Sequence, residues 1–573
     1  MPPAAKRIEF DDEALNPIGA GVAKLARVVG ITMGPHGKNV AYYSTGPGGG
    51  EPRTTKDGVS VANEVELEDP IENLGAQIVL QSCRRTNDEA GDGTTATAVL
   101  ANALFQGARK MAGSGKSSLQ IQRGMQKAVK ESCEFLKELS RPIKGEKDIY
   151  NVAYIASQDE TIAEKILEAM VAVGEYGAVN VEEGAGEQGI SWAKKDGMHF
   201  DAGFSSILEM ELINETLRKL VWSHDQVGII VIEDRVQIWQ DIKPLMQACI
   251  ASGVKKVLIF GDMRGDIIEA LNINKQKFGL HSCIVRIPFS GIQLREVLKD
   301  VAIYTGATFF SSGGGMKLPT APLKEGDLSF LGIADRVIVD REHCYLTGGK
   351  GEEGAIKKRI ELIEGLSAGE KEPYELQFLR ERLARFCGSI ATISVVGATR
   401  FETNSLRTRV DDAVCAVRSA NEEGVLPGGG VALLRALQAL ESRGEASYGT
   451  DGEKIGRKIV MEALKCPAVT IAEMAEHNGD VVVSDILRGG KEDSWTGFDF
   501  FVEEMCDMGK RGIIDPTKVV RLSLINSLSV SGDLSRLGAT ITDLSEEPSK
   551  DNWSQEAKAL SKARIRGVRG SIE

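Results

Sequence analysis

Residues 91–95 read GDGTT and residues 113–118 read GSGKSS, two glycine-rich turns on either side of one helix-patterned stretch. Either turn has the composition to cradle a phosphate. GSGKSS resembles the end of a GxxxxGK(S/T) loop, but Lys110 stands where the first glycine is required. That loop also joins a strand to a helix, whereas this turn follows the helical stretch carrying Leu104 and Phe105. The plainer reading makes Gly113 the end of one helix and Ser117 or Ser118 the cap of the next.

GDGTT has better chemistry. Gly91 and Gly93 allow a tight turn and close approach to a ligand. Thr94 and Thr95 open a helix whose free N–H groups and dipole favour an anion. Asp92 would repel a phosphate unless a divalent cation such as Mg2+ lies between carboxylate and phosphate oxygens. Asp-Gly followed by threonine is also ordinary turn chemistry, so this turn alone leaves both readings open. Other turns add weight: TMGPHGKN with Thr32, Gly34 and Gly37; TKDGVSV with Lys56 and Asp57; and LPGGGVALL, a glycine run opening a helix.

The elements that must hold these turns change character along the chain. The first 140 or so residues pattern as long helices, several apolar enough to be buried on more than one face. The middle alternates strand-length apolar runs (VGIIVIED, KKVLIFGD, HSCIVRIPF, ATFFSS) with helical stretches. That alternation predicts an α/β domain with a largely parallel sheet. No GxGxxG follows its first strand, which weakens a dinucleotide-binding reading. From about Lys350 the pattern is helical again. A helical, α/β, helical order implies a middle domain inserted into a helical domain built from both chain ends.

Composition narrows the class. With 573 residues the chain should form several domains. A net charge of −13 with no dominant basic stripe argues against nucleic-acid binding. No apolar run is long enough for a membrane span, and no signal-peptide pattern opens the chain. Nine cysteines lack CxxC spacing and read as buried reduced thiols of a cytoplasmic protein. Six isolated histidines offer no HxxxH pair, so no zinc site is expected.

The segments ITMGPHGKNV, TTKDGVSVANEVELEDPIENLGAQIV, NDEAGDGTTATAVLA, NEEGVLPGGGVAL and GIIDPTKVVR together resemble the group I chaperonins, in the family's order and across nearly the whole chain. The resemblance implies a multidomain α plus α/β chaperonin fold. Its equatorial ATPase domain would comprise residues 1–138 and 423–573, its intermediate hinge domain 139–195 and 390–422, and its inserted α/β apical domain 196–389. It implies ATP and Mg2+ as cofactors, with K+ as a monovalent cation. Asp92 would be the Mg2+ ligand, with Gly93, Thr94 and Thr95 around the phosphates. Thr32, Gly34 and Pro35 would belong to the nucleotide loop, and Lys56, with Thr32, to the phosphate and monovalent-cation region. Asp57 and Asp412 would position and activate the attacking water, Asp412 coming from the hinge domain as it swings. Gly429 and Asp515 would contact the nucleoside, and Asp499 would lie at the base. Non-native protein clients would meet Phe204, Leu208, Met246, Ile268 and Ile273. Gly197 and Gly388 would be hinges. The family assembles as homo-oligomeric rings, commonly seven subunits each, some with a co-chaperonin cap.

The sequence also departs from that pattern. GFDFF puts Asp499, Phe500 and Phe501 at the adenine pocket, where small residues are usual; base stacking or a reshaped pocket follows. Ala96 removes one hydroxyl from the phosphate turn. Ser389 replaces the second glycine of a hinge pair. Lys243 and Asn272 make part of the client face polar, while the plainer reading of both apical helices is simple packing on their sheet. Val469 and Gly479 replace charged positions that bridge rings, and the usual Gly-Met tail is absent. Two rival readings are a chaperonin-like scaffold without productive hydrolysis and an unrelated Mg2+-dependent phosphotransferase. The latter would cluster carboxylates at strand ends of the middle domain.

Overall fold

A computed structural model describes residues 6–43, 52–112, 117–174, 178–184, 188–204, 220–222, 226–324, 326–341, 343–370, 372–387, 389–490 and 493–543. The chain divides into two compact units: Met1–Ala163 with Thr408–Glu573, and Glu164–Arg407.

The first unit is helical. Its long helices begin and end where local chemistry dictates. Asp69 caps the Pro70–Ala90 helix by accepting from the backbone N–H groups of Ile71 and Glu72, and Pro70 occupies the first turn, where no N–H is needed. Gly91, with φ of 72°, ends that helix in the left-handed conformation and turns the chain into the Thr94–Ala112 helix. The Asp11–Gly30 helix crosses Pro70–Ala90 so closely that a Cβ on Gly21 would collide with the carbonyl of Glu72. Ile18, Val22, Leu25, Val79, Leu80 and Phe105 fill the seam between these helices. Leu104, Met125, Leu136, Leu437 and Val460 form a second core with the later helices. Each such side chain contributes about 1.5–3 kcal/mol by leaving water. The strands Lys6–Phe10 and Ala539–Asp543 pair antiparallel, joining the two ends of the chain.

Ser117 does precede the Ser118–Leu139 helix, but its side chain makes no capping bond; the expected serine cap is a position without the interaction. Gly113 lies outside the described residues.

The second unit is built on a ten-stranded sheet. Val227–Ile232, Lys256–Phe260 and His281–Val285 run parallel, with Phe309–Phe310 beside the first. Their apolar runs are continuous because both faces are covered. Ile230, Ile232, Val257, Ile259 and Ile284 pack toward the Trp239–Ala251 and Gly265–Phe278 helices. Ile229, Val231, Leu258 and Val285 pack toward Gly291–Thr305.

The expectation of a largely parallel sheet needs correction. Gly332–Val339, Cys344–Gly349, Gly189–Phe200 and Ser389–Val396 extend the sheet with antiparallel pairs, and Ala178–Glu183 joins the last in parallel. Helical character after Lys350 is likewise interrupted. Two helices, Glu353–Gly369 and Pro373–Cys387, precede the Ser389–Val396 strand. That strand is buried through Ile390, Ala391, Ile393 and Val395, a strand-length apolar run set between two charged helical patterns.

Among the described residues, Cys83, Cys133, Cys249, Cys283 and Cys344 are buried and Cys415, Cys466 and Cys506 half-buried, and none of these eight is in a disulfide.

Candidate functional site

The GDGTT turn is formed by backbone geometry that glycine permits. Gly93 has φ of 94°, and a Cβ there would meet Ser523 and Val519. The Thr94–Ala112 helix starts directly afterwards, so its unpaired N–H groups face the turn. The Thr94 hydroxyl is buried without a hydrogen-bond partner, which marks a polar atom built to meet something in the turn. Asp92 accepts from the Gly93 N–H, but desolvation, with help from Asp57, raises its carboxyl above the usual range.

The Thr32–Gly37 loop lies against this turn. The Thr32 hydroxyl donates to the Val29 carbonyl and stands 3.5 Å from the Thr95 hydroxyl. Gly58 sits where a Cβ would press on Thr95, so the two turns interlock around a small cradle. Asp57 caps the short Gly58–Asn63 helix, accepting from Val59 and Ser60, which fixes its carboxylate in one orientation. Lys56 donates to the Pro35 carbonyl at 3.2 Å and to the Gln158 side-chain oxygen at 2.5 Å. Burial, and then the charge of Arg409, lower the Lys56 ammonium below its ordinary pKa.

Asp412 lies on the Arg400–Glu423 helix. Desolvation first, then Asp57, Asp92 and Asp411, hold its carboxyl well above the ordinary carboxylate range. Asp515 is in the short Ile514–Pro516 strand, paired with Leu426 just before the glycine run. Desolvation and the Asp92 charge push it up to about 7. A Cβ on Gly428 would stand 3.0 Å from an Asp515 oxygen, so the glycine run abuts this carboxylate, and Gly429 has φ of 66°. Asp92 thus feels the charge of Asp57, Asp412 feels those of Asp57 and Asp92, and Asp515 feels that of Asp92. A set of carboxylates whose ionised forms repel, beside an unpartnered buried hydroxyl and a helix N-terminus, fits a divalent cation and a polyphosphate together.

The residues around the expected base position are arranged differently from what the GFDFF segment implied. Asp499 is buried, with one oxygen accepting from the Phe501 N–H and the other ion-paired to Arg511 at 2.7 Å. Phe500 is buried in a core with Val431, Leu434, Ile471 and Met508. Phe501 is exposed, and its ring lies 5.7 Å from that of His36.

In the second unit the structure separates the expected client residues. Met246 and Ile268 are buried against the sheet, because their helix faces pack the core. The packing reading holds for these two, and their expected exposure does not. Phe204 is half-buried, packed on the other sheet face, with a single bridge to Val285. Ile273 is exposed, as are Ile238, Phe278 and Ile292. Leu208 and Gly388 lie outside the described residues. Gly197 is within the Gly189–Phe200 strand, opposite Thr347.

Sequence reasoning missed Gln158 and Arg409. Gln158 follows the Glu146–Ser157 helix with φ of 53°, and its amide also reaches the Gly34 carbonyl at 3.4 Å. Arg409 donates to the Ser157 carbonyl and pairs with Asp159 at 3.1 Å. The positive φ at a non-glycine residue is the mark of this turn, and it is invisible in the sequence.

An interlocked helical unit with carboxylates gathered at a glycine-threonine turn, and an inserted α/β unit, defines a chaperonin fold. The family model of the TCP-1/cpn60 chaperonin family matches residues 25–543, and the chain belongs to that family. Among solved structures, it is similar to the chaperonin gp146 from bacteriophage EL 2 (Pseudomonas aeruginosa) crystallised in the presence of ATP-BeFx. In crystal form II the TM-score is 0.68 at 20% identity, over 93% of this chain and 98% of that one. In crystal form I the TM-score is 0.60 at 20% identity, over 93% of this chain and 99% of that one. Among the described residues, no helix is long and apolar enough to cross a membrane.

Proposed function

We propose that this protein is an ATP-driven protein-folding chaperonin, cytoplasmic and assembled as a homo-oligomeric ring. The observation that carries the reading is the gathering of Asp57, Asp92 and Asp412 beside the Thr94 helix N-terminus in a chain of the chaperonin family. Membership of that family, together with neighbours crystallised with an ATP analogue, supports nucleotide binding.

In this reading Asp92 holds Mg2+, and Thr32 and Lys56 border the monovalent-cation position. Mg2+ supplies neutralisation of phosphate charge when bound. Thr94 and Thr95, with the backbone N–H groups of Gly34 and Gly93, hold the phosphates, and Pro35 shapes the loop while its carbonyl accepts from Lys56. Asp57, fixed by its two capping bonds, orients the attacking water, and Asp412, whose burial raises its proton affinity, takes the water's proton. Asp515 accepts from the ribose and Gly429 leaves room for the nucleoside. Asp499 acts through Arg511 by shaping the base end of the site.

The hinge domain of residues 139–195 and 390–422, with Gly197 and Gly388, couples turnover to movement of the apical domain of residues 196–389. Apolar side chains exposed on the apical domain, Ile273 among them, take up non-native clients. A co-chaperonin cap is an additional partner in this scheme.

The test is phosphate release by the purified protein with ATP, Mg2+ and K+, paired with electron-microscopy class averages. The expected result is Mg2+-dependent turnover and ring-shaped particles. Monomers with no turnover under any of these conditions would overturn the reading.

A further inference from the structure

His199 and Asp201 stand two residues apart at the end of the Gly189–Phe200 strand, and His343 immediately precedes the Cys344–Gly349 strand. These strands are antiparallel neighbours, with Tyr345 opposite His199 and Cys344 opposite Phe200. Side chains alternate between faces, so His199, Asp201, His343 and Tyr345 share one face. Phe200 and Cys344 share the other, inside the core. The ring contacts agree: His199 lies 5.7 Å from His343 and 5.1 Å from Tyr345.

The polar atoms converge. His199 Nε2 is 3.1 Å from Asp201 Oδ1, and His343 Nε2 is 3.9 Å from the same oxygen. One ligand atom from each of the three residues fits within a 4.8 Å group. Ligands about 2.0–2.1 Å from a tetrahedral ion lie ~3.3 Å apart, so this spacing needs only a small adjustment. Behind His343, Asp340 Oδ1 accepts from the His343 backbone N–H at 2.7 Å and lies 3.4 Å from Nδ1. A carboxylate on Nδ1 selects the tautomer with its lone pair on Nε2, the arrangement that supports histidine at metal centres.

We propose that His199, His343 and Asp201 form a binding site for a divalent transition-metal ion of the Zn2+ type. Two imidazole nitrogens and one carboxylate oxygen suit Zn2+ or Co2+ and disfavour Mg2+, which prefers oxygen ligands. Asp201 is largely exposed, so the fourth position opens to water and the ion is exchangeable rather than enclosed. The site is distinct from the carboxylates of the helical unit. It would fasten two strands of the inserted unit together, close to Gly197 and Phe204. The sequence hides it because strand pairing, not helical spacing, brings the histidines together.

The test is a Co2+ titration of the full-length protein after removal of bound metal, with excess Mg2+ present throughout to fill oxygen-only sites. The expected result is a saturable visible absorption band at one Co2+ per chain that Zn2+ abolishes. His199→Asn and His343→Asn should each weaken binding about tenfold or more, and Asp340→Asn by about tenfold, an effect of its position behind the ligand. His281→Asn should leave it unchanged. Circular dichroism checks that each variant folds; Asp201→Asn, at an exposed position, provides a ligand variant free of core disturbance. No saturable band would overturn the proposal. So would equal affinity in the folded ligand variants, or a near-ultraviolet thiolate band showing that cysteine holds the metal.

Discussion

Lys56 and Gln158, 102 residues apart in the chain, meet through a 2.5 Å contact between the ammonium and the side-chain amide oxygen. The same amide group reaches the Gly34 carbonyl, and Lys56 also holds the Pro35 carbonyl. One glutamine therefore ties the loop after the Glu146–Ser157 helix to the loop that borders the GDGTT turn. Gln158→Ala removes this tie and leaves Lys56 on Pro35 alone. A hydrogen bond to a charged group contributes about 1.5–3 kcal/mol when buried and less here, where it is exposed. The KM for ATP should rise about threefold to tenfold, with kcat changed much less. Steady-state phosphate release checks this; a KM that does not move would place Lys56 outside the nucleotide loop's support.

Asp412 gains its raised proton affinity from burial and from the neighbouring Asp57 and Asp92. In the proposed mechanism it is a base that accepts a proton in the transition state and contributes little to ground-state binding. Asp412→Ala should therefore retain ATP binding while turnover falls by roughly 100-fold or more. Equilibrium nucleotide binding and single-turnover hydrolysis separate the two effects. Near-normal turnover would remove Asp412 from the reaction.

The same crowding makes stability depend on pH in a defined direction. Asp515 is pushed up to about 7 in the fold, and Asp92 and Asp412 are also raised, whereas unfolded aspartates titrate near the ordinary value of about 3.9. The unfolded chain releases these protons first. Stability from these groups is therefore complete below about pH 4 and declines as pH rises through about 7. Without Mg2+ the thermal midpoint should fall between pH 5 and pH 8, and Asp515→Asn should flatten part of that slope. Added Mg2+ and nucleotide should restore the midpoint most at pH 8. A slope unchanged in Asp515→Asn would show that its carboxyl is not raised.

The form of the GDGTT turn was legible in the sequence because it is local. Asp92, Gly93, Thr94 and Thr95 are neighbours, and the Gly91 turn and the following helix need only their own residues. Helices with strong periodicity and the parallel strands were legible for the same reason. What escaped depends on partners distant in the chain. Gln158 acquires its contacts from a turn that only the folded backbone reveals. The Ser389–Val396 strand was hidden between helical patterns, and its neighbours make the sheet mixed. Met246 and Phe500 show the converse limit: apolar type says a residue can be buried or exposed, and only packing decides. The histidine cluster illustrates both, since its members come from two strands paired across the sheet.

In the inserted unit, buried Asp300 ion-pairs with Arg359 and with Arg382, each at 2.7 Å, and Glu296 adds a further contact to both guanidiniums. Asp300 is 1% exposed and Arg382 3%, so neither charge has water to fall back on. Asp300→Ala would leave the Arg382 guanidinium buried with only Glu296, 3.5 Å away, to compensate it. The cost of breaking such a buried pair is about 3–5 kcal/mol. Trp192, Trp222 and Trp239 report on this unit, and in a Trp495→Phe, Trp553→Phe background tryptophan fluorescence during denaturant unfolding follows it. The expected result is a midpoint shifted to markedly lower denaturant for Asp300→Ala. The double substitution Asp300→Leu with Arg382→Met should lose much less, because it removes both charges and keeps apolar volume. Equal losses in the two proteins would mean that the volume of these side chains, and not their charge pairing, holds the Gly291–Thr305 helix against its neighbours.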